Sequence, residues 1–467
     1  MLTRRRLVAG ALACASLASS ARPVGAQAPE ASLASVAQAL AQRSEGADWR
    51  ELAAGTRWAA AEAPTDGSPP GGVSIQTLPI APPFDEASEA FVLGADGSSR
   101  RLETGGFDLR FGGPGAGAAT QLRFRGATVF DLARSDQVFG TAARALAIRV
   151  ADPRGEEIPV FRAVWIEPAV DGDGLAVHGL LDGPSSTAAV RLALDRRRPG
   201  VCDVEVSVHP RADMPSVGMA PLTCTYLHAP GDGRPADDRR PAVHDAEGLW
   251  MLNGAGERLW RPLSNPAQLQ LSAFADRPPR AFGFVQRRRD LIHYLDLDAG
   301  FERRPSLLVE PVGDWGAGWV TLVEIPSRSE ENDNIVVFWQ PAEPLSAGQA
   351  HRFAYRLTAT DEPSPGAASA TVAAVRSGPA TASDLEEARR YVVLYRMTGG
   401  GADAASAQAS VRAGSAAVET VRVARISDDL VATEFVLRRS PGVSVDFRAD
   451  LYFETGNPAE VLLHRWP

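Results

Sequence analysis

From about residue 89 onward the chain alternates between apolar and polar positions over short stretches broken by turn residues. Val204, Val206 and Val208 interleave with Glu205 and Ser207. A period of two is what a strand with one buried face requires. Runs of the same character fall at 143–150, 161–166, 175–181, 188–194, 201–208, 269–274, 281–286, 306–309, 319–325 and 335–339. An Ala/Leu/Arg-rich stretch at 28–62 reads as helical, and 63–85, rich in Pro, Gly and Ser, reads as loop. Residues 359–383, mostly Ala, Thr, Ser, Gly and Pro, read as a linker. Six more short runs follow, at 391–395, 418–425, 431–437, 443–447, 451–453 and 461–464. Many strands with few helices predict an all-β chain. The expected layout is a large β-sandwich over 27–358, the linker, and a small immunoglobulin-like sandwich over 384–467. No repeat of fixed period is present.

The first residues have a different pattern. Arg4-Arg5-Arg6-Leu7-Val8 precedes a short run of small apolar residues ending near Val24-Gly25-Ala26. Residues 1–26 therefore read as a secretory signal peptide of the twin-arginine type. Export makes disulfides tenable. Beyond Cys14, in the signal, the chain has Cys202 and Cys224, which read either as a cross-strand bridge or as two buried thiols.

Charge narrows the partners. All 48 basic residues are Arg, against 57 Asp+Glu, for a net charge of −9. Such a chain, without a basic tract, is a poor match for nucleic acid, where affinity comes from neutralising phosphates. After the N-terminus no apolar run is long enough to span a membrane. The seven scattered His and two Cys have no metal-ligand spacing, and no phosphate loop, dinucleotide fingerprint or nucleophile elbow occurs, so no metal or cofactor is expected.

The chemistry concentrates in 244–341. That stretch holds five of the nine Trp (Trp250, Trp260, Trp315, Trp319 and Trp339), along with Tyr294, many Arg, and the acids Asp245, Glu247, Glu302, Glu310, Glu324, Glu330, Glu331 and Asp333. Aromatic rings suit the apolar faces of sugars, and carboxylate pairs perform glycoside hydrolysis. The structural alternative is that the Trp belong to the core and the Arg and acids to ion pairs.

The order of residues carries more. Trp260-Arg261-Pro262-Leu263-Ser264-Asn265-Pro266 is followed by Phe282-Gly283-Phe284-Val285-Gln286-Arg287, then Tyr294-Leu295-Asp296-Leu297, Arg304-Pro305-Ser306-Leu307, Asp314-Trp315-Gly316 and Asn332-Asp333-Asn334-Ile335-Val336. This series resembles the osmoregulated periplasmic glucan biosynthesis protein G/D family, most strongly over 244–341 and only in architecture after 359. The resemblance implies a periplasmic protein with a galactose-mutarotase-like sandwich and an immunoglobulin-like one, acting on β-1,2-linked glucan. Some members are inverting endo-β-1,2-glucanases. Their general acid, the Asp of a Glu-x-x-Asp-Asn segment, corresponds to Asp333, with Glu330 three residues before it. The second Asp, which receives the proton of the attacking water through a relay, corresponds to Asp245 in His244-Asp245-Ala246-Glu247. Glu330, Trp260, Arg261, Arg304, Trp315 and Tyr294 are the expected substrate contacts.

The acid must stay protonated near neutral pH, so Asp333 needs burial or a like charge, for which Glu330 and Glu331 stand nearest in sequence. Three departures from the family pattern stand out. Phe301 replaces the relay Tyr. An aromatic segment resembling Phe-Leu-Gly-Ala-Ser-Tyr-Phe-Arg is missing from a shortened 130–140. The N-terminal strands lack most of the usual aromatic and Arg signposts. The alternative function is a non-catalytic glucan-binding scaffold beside the membrane glucan synthase.

Overall fold

The computed structural model describes residues 32–467 except 60–72, 79–88, 94–98, 103–105, 113–118, 127, 169–172, 233–236, 363–365, 367, 382–386 and 400–401. The signal peptide read at 1–26 lies outside the described residues. The chain is all-β, with short helices at Leu33–Ala41, Trp49–Ala53 and Leu291–Tyr294. Among the described residues two large sheets dominate. The first runs in the order Val73–Leu78, Gly106–Phe111, Thr120–Phe124, Val129–Arg134, Ala142–Arg144, Val217–Cys224, Ile335–Pro341, Gly318–Glu324 and Gln270–Asp276. The second is longer. Its middle runs through Gly248–Leu252, Ala281–Val285, Ser306–Val312, His351–Thr360, Val201–Pro210, Ser186–Asp195, Gly174–Asp182 and Val160–Pro168.

The alternation in the sequence becomes the packing. Phe107, Phe124, Phe130, Leu222 and Trp339 of the first sheet meet Val204, Val206, Phe282 and Leu357 of the second in one continuous core. On the far side of the second sheet, Leu33, Val36, Leu40, Trp49 and Trp58 pack on Phe91 and Trp165. The Ser32 hydroxyl caps the first helix by accepting from the Ser35 N–H, which satisfies one of the free donors at a helix start.

Three readings of the sequence are corrected. The single run expected at 143–150 is two strands, Ala142–Arg144 and Leu146–Ile148, which pair with different parts of Val217–Cys224. The cause is a bulge in that partner between Met219 and Leu222, with Ala220 at φ 49°. A bulge bends a strand and re-aims what pairs with it. The expected loop 63–85 contains the strand Val73–Leu78. The expected linker 359–383 contains Ala370–Pro379, paired along its length with Ala388–Met397. Small residues hid this strand, because its burial comes from the sheet packed against it and not from large side chains of its own. The two thiols are both free and fully buried, Cys202 in the second sheet and Cys224 in the first, and burial pushes both thiol pKa values up.

The C-terminal strands do not stand apart. Val461–Trp466 pairs in parallel with Arg258–Pro262, so Val445–Tyr452 and Gln408–Ala413 extend the second sheet beyond its first sandwich. A four-stranded sheet (Ala370–Pro379, Ala388–Met397, Leu430–Arg438, Ala417–Ser427) faces that extension. Tyr391, Phe435 and Phe447 form the aromatic centre between them. Trp250 and Trp260 belong to this second core. At the junction Glu460, fully buried, accepts from Arg287 Nη2 at 2.6 Å and from the Val372 N–H at 2.9 Å. Removing one member of a buried pair strands the other charge. Glu460→Ala is therefore expected to cost about 3–5 kcal/mol, seen as a lower urea midpoint for both sandwiches; an unchanged midpoint would rule out this pair as the joint between them.

Candidate functional site

The first sheet ends in a local irregularity that brings two distant carboxylates together. After Cys224 the chain leaves its ladder, and Tyr226–His228 pairs instead with Val243–His244. The next residue, Asp245, is thereby laid against Thr225: its N–H donates to the Thr225 carbonyl at 2.9 Å, and its Oδ2 accepts from the Thr225 N–H at 2.8 Å. The Thr225 hydroxyl donates to Asp333 Oδ1 at 3.3 Å. Thr225 thus touches both acids.

Asp333 is held from the other side by its neighbour. The Asn334 carboxamide accepts from the Tyr226 N–H at 2.8 Å and donates to the carbonyls of Tyr226 and Ile325, both at 3.0 Å. Those bonds fix the loop just before the strand Ile335–Pro341.

The environments of the two acids differ. Asp245 is buried; its Oδ1 accepts from Arg304 Nη1. Arg304 also donates from Nη2 to the Ala299 carbonyl at 3.1 Å and lies 4.1 Å above the Phe301 ring. Asp333 keeps an exposed surface, yet protein surrounds its carboxyl closely enough to desolvate it. Burial, and after it the charge of Asp245, push the Asp333 pKa up to about 6, with Arg125 opposing and Asp131 adding. The expected like charge from Glu330 is corrected here. Glu330 accepts from Arg240 Nη1 at 2.8 Å, and the same Arg240 contacts Asp238 and Asp296. The like charge comes from Asp245.

A buried aromatic cluster adjoins Asp245 through its neighbour His244. His244 stacks on Tyr226 at 5.4 Å and meets Tyr294 edge-on at 5.3 Å, while Tyr294 stacks on Phe301 at 5.6 Å. Gly140 passes so close to Arg304 that a Cβ there would lie 2.6 Å from its Cδ. The shortened 130–140 segment therefore still reaches the site, as a backbone contact.

The remaining expected contacts are largely buried side chains with partners of their own. Tyr294 is fully buried, and its hydroxyl donates to the Arg288 carbonyl at 3.0 Å. Trp260 is buried in the junction under Arg287, 3.5 Å from its ring, and against Gly248. Arg261 is buried with Glu324, Nη2 to Oε2 at 3.1 Å. Trp315 is buried, donates to the Ala354 carbonyl at 3.1 Å, and packs edge-on with Phe353 and Tyr355. Trp260, Arg261 and Trp315 each line a cavity that neither Asp245 nor Asp333 lines; of the six, Arg304 is the one that contacts a candidate catalytic carboxylate.

Three residues were missed: Thr225, Arg125 and Asp131. Asp131 is fully buried and accepts from Arg125 Nε at 2.6 Å. A signal was available in the alternation of Arg123 and Arg125 about Phe124, opposite an acid in the next strand.

The raised pKa has a consequence for stability. Because the folded state holds the Asp333 proton more tightly than the unfolded chain, stability falls as pH rises from the ordinary carboxyl range near 3.8 through about 6. Asp333→Asn is expected to raise the melting temperature at pH 8 and to have little effect at pH 4. An equal change at both values would contradict the desolvated carboxyl.

The chain matches the family model described as "Periplasmic glucan biosynthesis protein, MdoG" over residues 86–466. It is 43% identical over 349 residues to the Glucans biosynthesis protein G of Vibrio cholerae serotype O1, covering 73% of this chain and 63% of that protein. Over 348 residues it is 43% identical to the Glucans biosynthesis protein G 1 of Shewanella oneidensis, with the same coverage. A match of 42% over 348 residues to the Glucans biosynthesis protein G of Shewanella baltica covers 73% of this chain and 64% of that protein. The aligned part thus spans less than two thirds of these relatives. With most of its length matched, the chain belongs to the periplasmic glucan biosynthesis protein family described by that model.

Proposed function

We propose that this chain acts in glucan biosynthesis in the periplasm, exported by its N-terminal signal, and that it binds β-1,2-linked glucan beside Asp333 and cleaves it with inversion. The observation that carries this reading is the meeting of Asp333 and Asp245 at Thr225, with one carboxyl desolvated and open and the other held by a cation. A general acid must keep its proton toward neutral pH, as the raised pKa of Asp333 allows, beside a second carboxylate that can take the proton of water.

In the step proposed, the Asp333 hydroxyl gives its proton to the glycosidic oxygen as the C1–O bond breaks. A water attacks C1 from the opposite face, and its proton passes to Asp245. Direct transfer requires the carboxyls to stand roughly 6.5–9.5 Å apart, or farther with a relay. Phe301 offers no hydroxyl, so that relay runs through water.

A second reading has its own support. Both oxygens of Asp245 are engaged, by Arg304 and by the Thr225 N–H, and Phe301 cannot pass a proton. These features suit a glucan-binding scaffold that works beside the membrane glucan synthase without cutting.

The exported chain incubated with purified β-1,2-glucan separates the two readings. The enzyme releases reducing ends, and Asp333→Asn lowers that rate by about 10²–10⁴-fold. Asp245→Asn abolishes turnover while leaving binding. With Asp333 as the acid, kcat/KM falls as pH rises past about 6. Phe301→Tyr raises the rate. Binding with no reducing ends at any pH overturns the catalytic reading in favour of the scaffold.

A further inference from the structure

The outer face of the first sheet carries an aligned row of polar side chains leading away from the two acids. Gln76 pairs with Asp108, Asp108 with Arg123, and Arg123 with Asp131, one residue from each of four adjacent strands. Partners directly across a ladder point to the same face. The opposite face of these strands holds Leu109, Leu122, Phe124 and Phe130 in the core. Arg123 donates to Asp108 from Nε at 2.6 Å and from Nη2 at 2.7 Å, and lies 4.5 Å from the Phe139 ring. Asp131, fully buried, is bonded to Arg125 through Oδ2, while its Oδ1 has no hydrogen-bond partner among the described residues. Asp131 and Arg125 are both close enough to act on the Asp333 carboxyl, so the row begins at the site.

Its far end is concave. A cavity of about 440 Å³ is lined by Gln76, Asp108, Arg110, Gln121, Arg123 and Phe139, among others. The side-chain amides of Gln76 and Gln121 make no hydrogen bond to a described residue. Donors and acceptors of both kinds, without a dominant charge, surround one half-buried aromatic ring. A neutral polyhydroxylated ring needs that mixture: hydrogen bonds at its rim and an apolar surface against its face. Gln121 stands three strands from Thr225, at about 4.8 Å per step roughly 14 Å. A single sugar cannot touch both; a chain can.

We propose that this cavity is a distal glucan subsite, with Gln121, Arg123 and Phe139 holding sugar units several residues along the chain from the bond at Asp333. The inference rests on the reading of this chain as a glucan-binding protein. Phe139 lies in the shortened 130–140 segment, so that segment contributes its own aromatic platform here.

The test is calorimetric binding by the full exported chain carrying Asp333→Asn, which removes turnover. Two purified β-1,2-oligoglucosides are used, one too short to reach from Asp333 to Gln121 and one long enough. The long ligand binds more tightly than the short one, and Gln121→Ala, which leaves the Arg123–Asp108 pair intact, collapses that advantage by about five- to tenfold. Phe139→Leu, which keeps apolar volume but removes the ring, does the same. If the long ligand retains its full advantage in both variants, the subsite is wrong while glucan binding stands. If both ligands weaken equally, the residues act on folding and not on a distal contact, and the subsite is again wrong. If the parent chain binds neither ligand, the functional reading itself fails and the subsite with it.

Discussion

The site depends on one residue leaving its ladder. Thr225 follows the last paired position of Val217–Cys224, and its backbone is thereby free to serve other groups. Its N–H goes to Asp245, its carbonyl accepts from Asp245, and its hydroxyl reaches Asp333. An edge-facing N–H in a buried position must find a partner. Here the partner is a carboxylate, and the requirement of satisfying that backbone fixes one acid beside the other.

Around this junction the protein separates two kinds of polar group. Charges that build the fold are sealed in pairs: Arg261 with Glu324, Arg287 with Glu460. Glu330 is tied to Arg240 at the surface. The charges around the two acids are less completely matched, with Asp131 half-satisfied and Asp333 exposed. Desolvation of Asp333 costs stability as its proton leaves, and the tight framework of Asn334, Tyr226 and Ile325 holds the loop in spite of that cost. Trp260, Arg261, Trp315 and Tyr294 are likewise buried, each with a partner of its own. Trp260 and Arg261 lie where the two sandwiches join, and a large ring or a paired guanidinium there fills volume that a smaller residue would leave empty.

Alternation of apolar and polar residues placed many of the strands, because a half-buried strand must show its period in the side chains. It did not find Ala370–Pro379, rich in small residues, nor the short Val73–Leu78 inside a Pro/Gly/Ser-rich stretch; no run was read at Val217–Cys224 or His351–Thr360, and the single strand Val445–Tyr452 was read as two. Nor could it show the split at Ala145, since the bulge that causes it lies in the partner strand.

Residue order alone determined the all-β class and the family resemblance, and singled out Asp333 and Asp245 as the candidate acids, because those depend on local pattern and residue type. Tertiary structure decided what makes either acid distinctive: that residues 245 and 333 share Thr225, that Arg304 takes one of them, that the like charge on Asp333 is Asp245 and not its sequence neighbours, and that Asp131 and Arg125 stand nearby. Proximity across nearly ninety residues, and the solvent excluded by it, are properties of packing, and no local pattern encodes them.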